Sequence, residues 1–239
     1  MNTQIQISAK NLGQIALPDF CPRCFWLKLR LKNKLPFQIF PGIFNSIDSY
    51  TKRVVHTMFD KFGESPSWLK DLGDVKGYIQ PPHYSKFNIS DELNNILLTG
   101  VPDGIFVRSD GSHVIVDYKT AKYTGTQDHL FPMYEVQLNA YAIIGNQCGF
   151  EPVSDLALIY MEPVTDMDAA ANSINHRGDG FAMGFSANVH KVNLNLSIIP
   201  LLLSKTREIY ELDYPPSGCL GCGDCQLLGR LLEIAGGEE

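Results

Sequence analysis

Gly100-Val101-Pro102-Asp103-Gly104 and, a little further on, Val114-Ile115-Val116-Asp117-Tyr118-Lys119-Thr120 decide how this chain reads. Asp117 and Lys119 are two residues apart, so in an extended chain they point to the same face. They follow directly on the β-run Val114, Ile115 and Val116, an unusual place to bury charge without a purpose. Aspartate-x-lysine alone is common on ordinary surface hairpins. Here, however, a second acid, Asp103, starts the preceding strand, and two carboxylates on adjacent strands can converge on a hard divalent ion such as Mg²⁺. A lysine beside them can orient or deprotonate an attacking water, and it places positive charge where a phosphate transition state gains negative charge.

Around this core the pattern predicts three strands, at Ile96 to Gly100, Gly104 to Arg108 and His113 to Tyr118. Ser109-Asp110-Gly111 supplies the tight turn between the last two. Phe25 to Leu31 has helical character, and the prolines of Pro36 to Gly42 break it. Ile47 to Phe62 reads as a helix capped by Ser46, with Ile47, Tyr50, Val54, Val55, Met58 and Phe59 on one side. Gly73 to Ser90 reads as an excursion over the surface. Tyr134 to Ile144 is a helix, Ser154 to Met161 an apolar strand, Asp166 to Gly180 a mobile loop and Gly184 to Asn193 another strand. Ile198 to Leu212 is a helix that tolerates Pro200 in its first turn, and Pro215-Pro216 end it. This order indicates an α/β fold, with a central mixed sheet flanked by helices. No glycine-rich phosphate loop points to a nucleotide fold.

The chain has 239 residues, 44% of them hydrophobic, enough for one full core, so we read residues 1–239 as a single domain. No apolar run is long enough to cross a bilayer. Met1 to Leu17 is polar and mixed and lacks the pattern of a secretory signal, which predicts a cytoplasmic protein with no membrane partner. The net charge of −6 argues against a protein that coats nucleic acid by bulk attraction, although carboxylates that hold cations contribute to that sum. Arg23, Lys28, Arg30, Lys32 and Lys34 lie in a stretch with no acid between Asp19 and Asp48. They read either as a solvated helix face or as a patch for phosphates, in which Arg23, Lys28 and Arg30 are the DNA-binding candidates.

Six cysteines in a reducing compartment are not disulfide staples. Cys21 and Cys24 form one C-x-x-C, while Cys219, Cys222 and Cys225 form C-x-x-C-x-x-C near the other end; Cys148 stands alone as a core residue. Thiolates at this spacing bind metals. Cys21, Cys24, Cys219 and Cys222 satisfy a four-cysteine zinc site, and an iron–sulfur cluster would take four thiolates as well. Either would clip the two ends of the chain together, with a clasp built from 21–24 and 219–225.

Pro102-Asp103 and Asp117-Tyr118-Lys119-Thr120 resemble the signature of the PD-(D/E)XK nuclease superfamily. Gln137-Leu138-Asn139-Ala140-Tyr141 resembles the Q-x-x-x-Y helix of its RecB-type branch, which includes AddB nuclease domains and RecB-like CRISPR-associated exonucleases. The resemblance implies a restriction-endonuclease-like core and an Mg²⁺- or Mn²⁺-dependent deoxyribonuclease acting on DNA with a single-stranded or free end. It implies that Asp103, Asp117, His56 and the main-chain carbonyl of Tyr118 hold the metal. Lys119 would assist the water, and Gln137 and Tyr141 would line the site. Cys21-Pro22-Arg23-Cys24-Phe25 resembles the branch's opening to a [4Fe-4S] site, which implies Cys21, Cys219, Cys222 and Cys225 as ligands with Cys24 as the alternative. Protein partners in a repair or CRISPR adaptation complex belong to the same expectation. Two rivals stand beside this reading. One is a DNA- or protein-binding module of the same fold with a zinc site, and the other a metalloprotein whose cysteines transfer electrons.

Overall fold

The apolar run ahead of Asp117 becomes the middle strand of the protein. A computed structural model of the chain describes residues 3–34, 41–123 and 129–236. In chain order the elements are β1 (Ile5–Ser8), α1 (Ala9–Gly13), α2 (Pro22–Arg30), α3 (Gly42–Thr57), β2 (Val75–Ile79), β3 (Asn88–Asp91), β4 (Ile96–Thr99), β5 (Gly104–Arg108), β6 (His113–Lys119), α4 (Phe131–Gln147), β7 (Val153–Pro163), α5 (Met167–Ala171), β8 (His176–Arg177), β9 (Gly180–Phe181), β10 (Phe185–Val192), α6 (Ile198–Tyr210) and α7 (Gly223–Gly236). The helix-breaking segment from Pro36 lies outside the described residues as far as residue 40.

The main sheet has the order β10-β7-β6-β5-β2. β6 runs antiparallel to β5 and parallel to β7, so the sheet is mixed. The turn that joins β5 to β6 uses Gly111 at φ +83°, the left-handed conformation that its Asp-Gly pair predicts. Both faces of β6 are buried. Ile115 packs with Val136, Ala140 and Ile144 of α4, and with residues of α1 and α6. Val114, Val116 and Tyr118 pack on the other side with Val55 of α3 and with Leu69 and Leu72 of a short 3₁₀ turn. Each aliphatic side chain fully buried here contributes about 1.5–3 kcal/mol. The result is the α/β architecture expected from the sequence, a central mixed sheet with helices on both faces, and residues from both ends of the chain meet beside it.

Several elements differ from the sequence expectation. The polar-looking N-terminus holds β1, whose buried Ile5 and Ile7 alternate with Gln6 and pair in parallel with β4 in a small second sheet, β1-β4-β3. The expected surface excursion from Gly73 to Ser90 contains β2, an edge strand of the main sheet, and the start of β3. Short period-two runs of this kind are easily masked by glycine and proline neighbours. The expected loop from Asp166 to Gly180 carries α5, capped by Asp166 accepting from the Ala169 N–H, and then the small β8–β9 hairpin. α3 starts at Gly42, behind Pro41, and Ser46 lies inside it with its hydroxyl donating to the Gly42 carbonyl. Of the apolar stripe assigned to α3 only Val55 is fully buried, and Tyr50 is 64% exposed. The inward row is Thr51 and Val55, one turn apart. The cysteine tail ends in α7, fourteen residues that the glycines Gly223 and Gly229 concealed.

Candidate active site

The sheet register sets the geometry of the carboxylates. Asp103 immediately precedes β5, and its N–H donates to the Val116 carbonyl at 3.2 Å. The Tyr118 N–H donates to Asp103 Oδ2 at 2.8 Å, which fixes that carboxylate against the end of β6. Asp117 lies on the face of β6 that also carries Ile115 and Lys119, and it is buried. Lys119 Nζ contacts Asp117 Oδ2 at 2.5 Å and sits over the Tyr134 ring at 4.1 Å.

α4 completes this face. Gln137 and Tyr141 are one turn apart, and both are buried. Gln137 Nε2 donates to Asp117 Oδ1 at 3.0 Å and to the Tyr141 hydroxyl at 2.8 Å. Its own carbonyl, Gln137 Oε1, is buried and has no hydrogen-bond partner among the described residues. Gly100 makes room for the tyrosine, since a Cβ there would meet Tyr141 Cε1 at 2.4 Å. Burial, with Asp103 adding to it and Lys119 opposing, pushes the Asp117 carboxyl up to about 6. Burial, and then Asp117, push the Tyr141 hydroxyl well above its ordinary value.

α3 lies against the other side of Asp103 and brings two residues that the sequence reading missed. Lys52 Nζ bridges Asp103 Oδ1 at 2.6 Å and Asp48 Oδ2 at 2.9 Å. Burial pulls the Lys52 ammonium down, but Asp103 and Asp48 outweigh it and leave its pKa raised. The Asp48 carboxyl is raised by burial and by Asp103, against Lys52. The signal was present as the spacing Asp48, Lys52, His56, which sets three polar residues on one helix face. His56 lines the same open cleft as Lys52, Arg53 and Asp103, a space of about 730 Å³. Its ring is stacked on Tyr78 at 3.9 Å and 5°, and burial, opposed by Asp60 and reinforced by Lys52, holds its pKa below the usual value. Among the described residues His56 forms no three-ligand group with the two acids at metal-ligand spacing.

Near the chain ends the thiols of Cys21, Cys24, Cys222 and Cys225 converge, with sulfurs within 4.8 Å of one another. Cys219 stays outside the group; its thiol donates to the Phe20 carbonyl at 2.9 Å, and its N–H donates to Cys21 Sγ at 3.4 Å. Burial raises the Cys21 thiol, but the N–H groups of Cys24 and Cys219 and the neighbouring thiols bring it down to about 6. Burial and then the thiols of Cys225, Cys222 and Cys21 push Cys24 far up, and burial leads in raising Cys225 to about 11. A donor set of four thiols can hold a metal.

The basic candidates lie apart from the cleft. Arg30 donates to the carbonyls of Tyr210 and Leu212 at 2.7 and 3.0 Å and stacks on the Trp26 and Tyr210 rings, so it ties α2 to the end of α6. Lys28 donates to Gln14 Oε1 at 3.0 Å, and Arg23 has its Nε buried. The cations that line the cleft beside Asp103 are Lys52 and Arg53.

A family model described as the PD-(D/E)XK nuclease superfamily matches residues 23–227. Among curated proteins none matches the chain. It is similar to a solved structure titled "Crystal structure of SSO0001", at 13% identity, covering 90% of this chain and 80% of that one, with a TM-score of 0.44. No described helix is long and apolar enough to cross a membrane.

Proposed function

The chain belongs to the PD-(D/E)XK nuclease superfamily, and on that premise we propose that it is a metal-dependent deoxyribonuclease of the RecB type, one domain acting on DNA with a single-stranded or free end. The observation that carries the reading is the contact of Lys119 with Asp117 on one face of β6, with Asp103 close enough to raise the Asp117 pKa.

The donor set fits a hard divalent cation. Two carboxylates and the main-chain carbonyl of Tyr118 are oxygen ligands of the kind Mg²⁺ and Mn²⁺ take. The unpartnered Gln137 Oε1 adds a buried acceptor suited to a water or a substrate hydroxyl. The bound ion would supply Lewis-acid polarisation of the phosphodiester and a more acidic attacking water.

The chain's own residues do the positioning. The Tyr118 N–H holds one oxygen of Asp103 and Gln137 holds one oxygen of Asp117, while Lys52 and Lys119 meet the other oxygen of each, so an incoming cation would share or displace those ammonium contacts. Lys119, clamped between Asp117 and the Tyr134 ring, brings a fixed ammonium to the place where a phosphate gains charge, and it orients the water that attacks. Tyr141 keeps Gln137 from rotating away. Asp48 adds a third carboxylate on the α3 side of Asp103, and His56, two turns further along α3, lines the cleft beside Asp103. The cleft is open and is lined by Lys52, Arg53, Asn45, Ser46 and Ser49, which suits a single phosphodiester strand more than a small enclosed substrate.

The test is a cleavage assay on single-stranded and blunt duplex DNA with Mg²⁺ or Mn²⁺, comparing wild type with Lys119→Ala. The reading expects metal-dependent cleavage that the variant loses. Equal cleavage by both proteins, or none by either, would reject it and leave a binding module of this fold.

A further inference from the structure

We propose that the thiols of Cys21, Cys24, Cys222 and Cys225 hold one zinc ion in a closed tetrahedral site, and that Cys219 stays outside it as a free thiol. The inference does not depend on the nuclease reading. It departs from the [4Fe-4S] centre on Cys21, Cys219, Cys222 and Cys225 that the sequence resemblance implies.

Cys21 Sγ lies 3.5 Å from Cys225 Sγ, and Cys24 Sγ lies 3.4 Å from Cys225 Sγ and 3.7 Å from Cys222 Sγ. All four sulfurs are within 4.8 Å of one another. Four thiolates at the usual zinc–sulfur bond length of 2.3 Å stand about 3.8 Å apart at the corners of a tetrahedron. In a four-iron cluster each thiolate lies outward of its own iron, and the sulfurs are roughly 6 Å apart. The observed set is closed around a space for one ion.

Cys21 is the residue before the first turn of α2, and its carbonyl accepts the first helical bond from Phe25. Cys222 stands in the same relation to α7, with its carbonyl accepting from Gln226. Cys24 and Cys225 are each three residues further on. The two C-x-x-C pairs are therefore equivalent, each wrapped over a helix N-terminus. A zinc ion with four thiolates carries two net negative charges, and two helix N-termini aimed at it are the complement that such a centre needs. Cys219 lies beside Cys21 but outside the group of four mutually close sulfurs, and its thiol donates to the Phe20 carbonyl.

A Cβ on Gly218 would come within 2.7 Å of Cys225 Sγ, so glycine lets the incoming chain pass close to that sulfur. Four protein ligands leave no open position, which marks a structural ion. It joins the start of α2 to the start of α7 and so closes a loop of nearly the whole chain.

The full-length protein, purified without oxygen from medium containing both iron and zinc, is analysed for metal and acid-labile sulfide. One zinc per chain in colourless protein is expected, with no four-iron uptake when iron and sulfide are offered. Cys24→Ser is expected to reduce the zinc to near none, while Cys219→Ser keeps it at one per chain. Wild-type protein supplies a check that requires no folded variant. Iodoacetamide under native conditions is expected to label Cys219 and to spare Cys21, Cys24, Cys222 and Cys225 until a mercurial releases the ion. Brown protein with four irons and sulfide, loss of metal in Cys219→Ser with retention in Cys24→Ser, no bound metal at all, or equal labelling of all five thiols would each overturn the proposal.

Discussion

The carboxylate site and the cysteine clasp both gather ionisable side chains from distant parts of the chain, and they are built in opposite ways. In the first, each of the acids meets an ammonium of the protein itself: Lys119 on Asp117, and Lys52 between Asp48 and Asp103. In the clasp the four sulfurs face one another. A site whose counter-charges are covalently part of the fold stands without a metal, and its open side can exchange one. A site whose ligands repel once ionised is completed by an ion. The two regions should therefore respond differently to the same perturbations.

The largest separation is expected from Lys119→Ala. If the ammonium assists the attacking water, cleavage falls by on the order of 10²–10⁴-fold. Thermal stability should hardly move, because Gln137 still holds one oxygen of Asp117 and the carboxyl, its pKa already raised, can take up a proton. A matching loss of melting temperature would assign Lys119 to the scaffold and erase the contrast. Next in size is the response to metal removal. Brief EDTA treatment should abolish cleavage, restorable by Mn²⁺, and leave the melting temperature in place. A mercurial that empties the clasp should lower the melting temperature by about 5–10 °C, or ~2–4 kcal/mol. Calorimetry on the two treated samples decides it, and equal shifts would show that the sites are not distinct in role.

A smaller effect should appear with pH. Burial and Asp103 raise the Asp117 carboxyl to about 6, above its ordinary 3.8. The folded, metal-free protein therefore binds this proton more tightly than the unfolded chain does. The stability this gives is fully present below the unfolded value and is lost as pH rises through about 6. A cation that needs the ionised carboxylate competes with that proton, so Mn²⁺ affinity should fall about tenfold per unit of pH below 6 and level off above it. Titration calorimetry between pH 5 and 8 reads the slope; a flat profile would remove Asp117 from the metal's ligands.

The two regions also differ in how far the sequence disclosed them. Asp117 and Lys119 were legible because β6 is a short, strongly apolar strand, and the period of two puts both on one face. The pairing of Gln137 with Tyr141 followed from one helical turn. α3 was harder. Its apolar residues are distributed around the helix, so Tyr50 and Val54 on the outer face hid the inward row, and with it the polar row of Asp48 and Lys52. Likewise the clasp was visible as two clusters of cysteine, but the choice between Cys24 and Cys219 depends on α7, whose start at Gly223 the glycine-rich tail obscured. Spacing along the chain identifies donors, and the helix that follows them determines which donors meet.

The finest test of the contrast concerns Lys52, the cation that the sequence did not disclose. Its ammonium lies 2.6 Å from Asp103 and 2.9 Å from Asp48, two carboxylates that each need a counter-charge. Asp103 raises the pKa of Asp48 even with the lysine present, so the acids repel. Lys52→Met keeps most of the side-chain bulk and removes the charge. Two consequences of opposite sign follow. The metal-free variant should be less stable, since two part-buried acids lose their shared partner. Mn²⁺ should bind about three- to tenfold more tightly, because an incoming divalent ion no longer meets a positive charge beside Asp103. Added Mn²⁺ should then restore the lost stability. Unchanged affinity together with unchanged stability would mean that Lys52 is not the carboxylates' counter-charge, and that this region, like the clasp, depends on an ion to hold its acids together.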